Sequence, residues 1–143
     1  MTVKKFNILD IATADFAFEC FGSTLNELFE NAALAMAEIM TDTTKVKPKH
    51  SLKFSLKADD LKALMFDFLS EILFLKDTKG MVFSKFDVKI REGKPCMLNC
   101  ELSGEKWDRN KHEIRTEVKA ATYHMMQIEQ KNGRWRAQVV IDT

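Results

Sequence analysis

Residues 23–40 have the spacing of one amphipathic helix, and this helix constrains the fold more than any other feature of the sequence. Its apolar side chains recur every three or four positions and form one stripe, which consists of Leu25, Leu28, Phe29, Ala32, Ala35, Met36 and Ile39. Thr24 and Glu27 have the spacing of a capping box, and Ser23 is a further N-cap candidate. A helix with one apolar stripe has to pack that stripe against another layer of structure.

A second helix is predicted between residue 61 and the glycine at position 80. Asp59 or Asp60 suits its N-terminus, where acidic side chains accept hydrogen bonds from exposed backbone N–H groups. Its apolar face consists of Leu61, Leu64, Met65, Phe68, Leu69 and Ile72. The longest apolar run of the chain overlaps this helix, but charged residues such as Lys62 and Asp67 interrupt it, so it cannot span a membrane.

Most of the remaining chain alternates apolar and polar residues, which is typical of half-buried β-strands. The alternation predicts about seven strands, at 4–9, 15–21, 51–57, 81–90, 96–102, 118–130 and 134–142. Asn132-Gly133 separates the last two strands and favours a type I′ turn, which requires positive φ at both residues. Residues 104–115 are polar and irregular, and we expect a loop there.

Hairpin-like strands combined with two long helices predict an α+β fold. We expect a two-layer sandwich, in which a mostly antiparallel sheet carries both helices on one side. A length of 143 residues predicts a single domain, residues 1–143.

The charge distribution argues against two common functional classes. The formal net charge is only +1, and the densest basic cluster is KVKPKH at 45–50. Sequence-independent nucleic-acid binding needs a concentrated basic face, so it is disfavoured unless folding gathers one from separate segments. The five glycines form no phosphate-binding loop, which argues against the common nucleotide-binding enzymes.

The cysteines indicate a reducing compartment. There are three, Cys20, Cys96 and Cys100, and an odd, sparse count is typical of reduced thiols in a cytoplasmic protein. Zinc is a poor fit, since four residues of strand separate Cys96 from Cys100 by roughly 13 Å. A nucleophilic pair of Cys20 with His124 is conceivable, but Cys20 shares an apolar strand face and is better explained as an inert core thiol.

Two acids at strand ends are the strongest candidates for chemistry. Asp15 begins one alternating strand and Asp142 ends another, each on the face opposite to the apolar residues. If the two ends are neighbours, two carboxylates meet, with the terminal carboxylate at Thr143 beside them. A hard divalent cation relieves such repulsion, and calcium, magnesium or manganese suits oxygen ligands. The competing interpretation is that both acids are simply solvated, since charged strand ends are common.

Lys119 lies where the polar loop enters a strand, in the segment TEVKAATYH. It is either a solvated edge charge or a functional lysine with an anionic partner nearby.

Several segments, in order along the chain, resemble the archease family. LDIATADFAFECFG resembles its LDHTAD opening, TLNELFENAALAMAEIMTD its first helix, and ADDLKALMFDFLSEILFL its second helix. FSKFDV, the Thr-Glu-Val-Lys-Ala segment and the closing VVIDT complete the resemblance, which covers essentially the whole chain. One departure is that Ile11-Ala12 stands where the family usually has a histidine before Thr-Ala-Asp.

The resemblance implies a small metal-binding protein, with calcium as the usual ion, that activates the RtcB-type tRNA-splicing RNA ligase. Archeases help the ligase through guanylylation and multiple turnovers without catalysing ligation, and they meet tRNA only through the ligase. Carried over by residue, the metal ligands are Asp15, Asp142 and Thr143, and Lys119 is a functional residue near them. Two alternatives remain: a metal-dependent phosphoester hydrolase using the same aspartates, and an RNA-binding or chaperone-like module with Trp107 and Trp135 as contacts.

Overall fold

The structure, a computed structural model, describes residues 4–9 and 15–143, and it contains eight strands and two α-helices within those ranges. The first half comprises β1 Phe6–Leu9, β2 Asp15–Gly22, α1 Leu25–Met40, β3 His50–Ala58 and α2 Leu61–Lys79, with a 3₁₀ turn at Thr43–Lys45. The second half comprises β4 Met81–Arg91, β5 Cys96–Lys106, β6 Ala120–Ala121, β7 Gln127–Lys131 and β8 Arg134–Asp142.

The strands form two antiparallel sheets. One has the order β1-β2-β8-β6, with β7 also pairing with β8, and the other has the order β3-β5-β4. The predicted α+β class with antiparallel pairing is confirmed. The division into two sheets is an addition to the sequence prediction, because alternation shows which residues face inward but not which strands are partners.

Both helices join the two sheets around one core. Helix α1 contacts β2 of one sheet and β4 of the other, while α2 contacts β3 and also reaches β6. Every residue of the predicted α1 stripe is buried. The rings of Phe29 on α1 and Phe68 on α2 are 5.6 Å apart, so aromatic packing links the helices at the centre of the core.

The helix termini follow the capping chemistry of the sequence. Thr24, rather than Ser23, is the N-cap of α1, and its hydroxyl accepts a hydrogen bond from Glu27 N at 3.1 Å. Asp60 is the N-cap of α2, accepting from Ala63 N at 2.8 Å. Gly80 ends α2 at a φ of 61°, a left-handed conformation that glycine adopts without steric cost.

Two segment predictions are wrong. Strand β5 continues through Lys106, so the loop begins after it and not at 104. The predicted strand 118–130 is divided into β6 and β7 by a turn, in which Met126 N donates to Tyr123 O and Met125 has a φ of 54°. That left-handed residue breaks the extended backbone on which an alternating pattern depends.

The Asn132-Gly133 hairpin is confirmed. The two residues have φ values of 54° and 75°, and they connect β7 to β8. This hairpin fixes the register of the last strand and therefore the place where it ends.

Candidate functional site

Asp15 and Asp142 are Cα partners in the antiparallel register of β2 and β8. The pairing continues without interruption to Gly22 and Trp135, so the start of one strand lies beside the end of the other. Opposite residues of such a pair have Cα atoms about 4.5–5.5 Å apart. The prediction that these two strand ends are neighbours is confirmed, whereas metal binding by them stays a prediction.

Strand β8 leaves the core at Asp142. Val139, Val140 and Ile141 are buried, and Asp142 directly after them is exposed. Thr143 follows and is half-buried. Burial of three consecutive branched residues fixes the backbone up to the acid, so the Asp142 carboxylate projects into solvent from a rigid support.

Lys119 lies on the other side of Asp142. Its backbone N donates to Asp142 O at 2.8 Å, and the next residue, Ala120, is the Cα partner of Asp142 in β6. Lys119 is exposed. The fold therefore places Asp15, Asp142 and Lys119 in a row across three neighbouring segments at one end of the sheet.

The segment that leads to Lys119 is anchored on the C-terminal end of α1. Thr116 N donates to Ile39 O at 3.1 Å, and the Thr41 hydroxyl donates to Glu113 O at 2.7 Å. Val118, next to Lys119, is buried. These contacts satisfy backbone groups at the helix end and hold a segment that has no regular structure of its own.

A second carboxylate on β2, Glu19, is engaged in structural contacts. It accepts a hydrogen bond from Asn7 Nδ2 at 2.8 Å and lies 3.0 Å from Arg136 Nη2. The Asn7 hydrogen bond, followed by the Arg136 guanidinium, holds the pKa of Glu19 below its usual value. Glu19 therefore ties β1, β2 and β8 together.

The cysteine sites considered from the sequence are not assembled. Cys20 is fully buried and His124 is exposed, so they do not form a nucleophilic pair. Burial raises the pKa of the Cys20 and Cys100 thiols to about 12, which keeps both protonated and inert. Cys96 is likewise buried, and all three cysteines are free thiols.

Within residues 4–9 and 15–143, no group of three or more His, Cys, Asp or Glu side chains is gathered in a way that could hold a metal ion. The predicted set of Asp15, Asp142 and Thr143 contains only two such residues, so it stays a prediction. The Ile11-Ala12 departure lies outside the described residues. Among the described helices, none is both long and apolar enough to cross a bilayer.

A charged cluster around Glu105 was missed by sequence analysis. Glu105 is buried, and its carboxylate accepts hydrogen bonds from Lys111 Nζ at 2.6 and 2.8 Å and from Lys47 N at 2.8 Å. His112 Nδ1 accepts from Asp108 N, so Nε2 carries the proton and donates to Glu105 at 3.1 Å. The Lys111 hydrogen bonds, above all, lower the pKa of Glu105 to about 2.

Comparison with known proteins points to one family. The sequence model of the Archease protein family matches residues 6–143. A protein named archease from Sulfurisphaera tokodaii is 44% identical over 140 residues, covering 98% of this chain and 99% of that protein. A protein of the same name from Pyrococcus furiosus is 43% identical, covering 91% of this chain and 93% of that protein.

Solved structures show the same fold. The solution structure of a Methanobacterium thermoautotrophicum protein has a TM-score of 0.87 at 42% identity, covering 99% of this chain and 100% of that chain. A Thermotoga maritima crystal structure, of an archease described as a possible chaperone, has a TM-score of 0.63 at 24% identity, covering 100% and 99%. The second likeness concerns the fold alone.

Proposed function

The chain belongs to the archease family, and from this premise we propose that it is a non-enzymatic accessory protein of an RtcB-type tRNA-splicing RNA ligase. It promotes guanylylation of the ligase and supports multiple turnover of RNA ends. The observation that carries the proposal is the register that sets Asp15 opposite Asp142, with the backbone of Lys119 bonded to Asp142.

The proposal includes a divalent cation, with calcium as the favoured ion, held by Asp15, Asp142 and Thr143. The chemistry of this set fits, because all three residues offer oxygen atoms, the ligands that hard cations prefer. Like charges directly opposite each other on paired strands destabilise the pair, and a bound cation removes that cost. Exposure of Asp142 leaves its carboxylate accessible to an ion from solvent.

Lys119 is the proposed activating residue. Its backbone bond to Asp142 fixes where its side chain begins, and its exposed ammonium group is available to an anionic group on the ligase or its nucleotide. An accessory protein changes the behaviour of its target only if it binds one state more tightly than another. We infer that Asp142 and Lys119 together favour the state of the ligase that accepts guanylylation.

The cysteines support action in the cytoplasm beside the ligase. Cys20, Cys96 and Cys100 are free and buried among apolar side chains, which is typical of proteins that work in a reducing compartment.

The decisive experiment measures turnover of the cognate ligase with GTP and RNA ends. Substoichiometric wild-type protein is expected to convert a single-turnover reaction into a multiple-turnover one. Lys119→Ala is expected to lose this stimulation, whereas Lys131→Ala, which removes an exposed lysine at the end of β7, keeps it. Unchanged ligase turnover with the wild-type protein would refute the proposal.

Calcium titration tests the metal site separately from the ligase. Wild type is expected to bind calcium by calorimetry, and Asp142→Asn to lose most of that binding. Asp59→Asn is the matched control, because it removes an exposed carboxylate that lies just before α2. Equal calcium binding by wild type and the Asp142 variant would remove Asp142 from the ligand set.

A further inference from the structure

A groove with a cavity volume of about 600 Å³ lies between two segments that are distant in the sequence. The register of β3 and β5 pairs His50 with Gly104, and Lys47 N donates to Glu105 Oε2 at 2.8 Å. These contacts bring the basic segment 45–50 alongside residues 105–111. Folding therefore gathers a basic face from separate segments. The sequence alone disfavoured nucleic-acid binding unless such a face formed.

Positive charge dominates this groove. Four basic side chains, Lys49, Lys106, Arg109 and Lys111, line it together with two acidic residues. One of the acids, Glu105, is buried and already contacted by Lys111 Nζ at 2.6 Å and Lys49 Nζ at 3.6 Å. The whole chain has a formal charge of only +1, so the excess of positive charge here is local.

Trp107 provides an ordered aromatic surface in the same groove. Its backbone N donates to Gly80 O at 2.9 Å, and its ring centroid is 5.4 Å from that of His112. His112 is only 3% exposed and is hydrogen bonded through both ring nitrogens, to Asp108 N and to Glu105. Trp107 itself is 39% exposed, so a supported indole ring faces solvent beside the basic side chains.

We propose that this groove binds single-stranded RNA, with phosphates on Lys49, Lys106 and Arg109 and one base stacked on Trp107. A basic groove that carries an exposed aromatic ring is the usual combination for single-stranded nucleic acid, because the cations follow the backbone and the ring accepts any base. An acidic protein segment would pair with the cations, but it would leave the indole ring without a base to stack on. The choice of RNA over DNA rests on the proposed function, whereas phosphate-backbone binding rests on the groove alone.

The test titrates a fluorescein-labelled ten-nucleotide oligouridine with the full chain. The buffer contains EDTA and no ligase, so the result does not depend on the metal site or on ligase activation. Binding is expected to weaken as salt rises. The Lys106→Ala/Arg109→Ala double variant is expected to bind at least roughly tenfold more weakly. The magnitude of the slope of log K against log salt is expected to fall by about 1.4, since each phosphate contact contributes about 0.7.

A matched double variant controls for net charge. Lys131→Ala/Arg134→Ala removes two exposed cations that flank the Asn132-Gly133 turn, and it is expected to bind like wild type. Loss of binding equal to that of the groove variant would overturn the proposal, as would binding that is independent of salt. Equally strong competition by polyglutamate would assign the groove to acidic protein segments instead, and equal affinity for oligodeoxythymidine would overturn the choice of RNA.

Tryptophan emission supplies a readout that a structural effect does not mimic. RNA is expected to quench the emission of Trp135→Phe, which retains Trp107, and to leave that of Trp107→Phe unchanged. Quenching in the second variant but not in the first would overturn the stacking role of Trp107.

Discussion

Asp15, the first residue of β2, and Asp142, the last residue of β8, are Cα partners in an antiparallel strand pair. Two acids at directly opposite positions repel, so we expect Asp15→Asn to stabilise the protein in the absence of divalent cations. The expected gain is about 0.2–1 kcal/mol, the size of a cross-strand charge effect. Urea unfolding in EDTA measures it.

We expect calcium to reverse the order of stability of wild type and Asp15→Asn. Wild type is expected to gain stability as the calcium concentration rises, because an ion that binds only the folded state stabilises that state. Asp15→Asn is expected to gain less. Asp59→Asn is the control and should respond to calcium like wild type. A calcium response of Asp15→Asn as large as that of wild type would show that Asp15 is not a ligand.

The sequence predicted part of the site formed by Asp15, Asp142 and Lys119. Alternation marks Asp15 and Asp142 as the outward ends of two strands, but no local pattern says that β2 pairs with β8. That pairing joins residues more than a hundred positions apart, and the family resemblance supplied it. The backbone bond from Lys119 to Asp142 was beyond sequence reasoning, because it depends on a loop whose path is set by contacts with α1.

The loop before Lys119 is held at the end of α1 by several hydrogen bonds, and the most deeply buried side chain among them is that of Thr41. Thr41 is only 2% exposed, and its hydroxyl donates to Glu113 O at 2.7 Å. Thr41→Val is expected to cost about 1–3 kcal/mol, since it leaves the Glu113 carbonyl without this partner. Hydrogen exchange should show the fastest new exchange at Arg115, Thr116 and Lys119, whose backbone N–H groups bond to Met40, Ile39 and Asp142.

Thr78→Val is the matched control for that loop. The Thr78 hydroxyl also donates to a backbone carbonyl, that of Phe74 at 2.8 Å, but it lies on the exposed end of α2. Thr78→Val should leave hydrogen exchange at Lys119 unchanged. Uniform acceleration across the whole chain in Thr41→Val would indicate global destabilisation and contradict a local anchoring role.

Gly104 lies where the backbones of β4 and β5 leave no room for a side chain. A Cβ atom placed there would overlap with Val82 O, beside the register shift between Phe83 and Lys85. Gly104→Ala therefore forces the two backbones apart, and we expect a loss of at least roughly 1–3 kcal/mol, as for an overpacked core. Thermal and urea unfolding measure this loss.

The control for Gly104 lies on the same strand. Glu101→Ala removes an exposed side chain, whose ion pair with Lys53 spans 3.5 Å, and should change stability by no more than about 0.5 kcal/mol. Equal stability of Gly104→Ala and wild type would mean that the bulge in β4 relaxes without cost.

The cluster around Glu105 shows why part of the structure was not predictable. An acid in the segment GEKWDRNKHEIR looks like a solvated loop residue, because its neighbours in sequence are polar. Its burial follows from the extension of β5 through Lys106 and from the approach of Lys47, which is 58 residues away. Local sequence carries no information about such partners, whereas residue type and spacing narrowed each helix cap to two neighbouring residues, of which Thr24 and Asp60 are the caps.

Glu105 makes the stability of the protein depend on pH in a defined window. The pKa of this carboxyl falls from its usual 4.5 to about 2 on folding, mainly because of the Lys111 hydrogen bonds. The folded state therefore binds fewer protons than the unfolded state between these values. The stabilisation from Glu105 is complete above pH 4.5 and is lost progressively as the pH falls to about 2.

Glu105→Gln removes this dependence, because the amide does not titrate. We expect the variant to be less stable than wild type at pH 6, with a difference that shrinks as the pH falls through the window from 4.5 to about 2. Urea unfolding at half-unit steps of pH measures the difference. Glu101→Gln, at an exposed ion pair, should show a small difference with little change over the same range. A wild-type advantage over Glu105→Gln that stays constant from pH 6 to pH 2 would show that Glu105 contributes through packing and not through its charge.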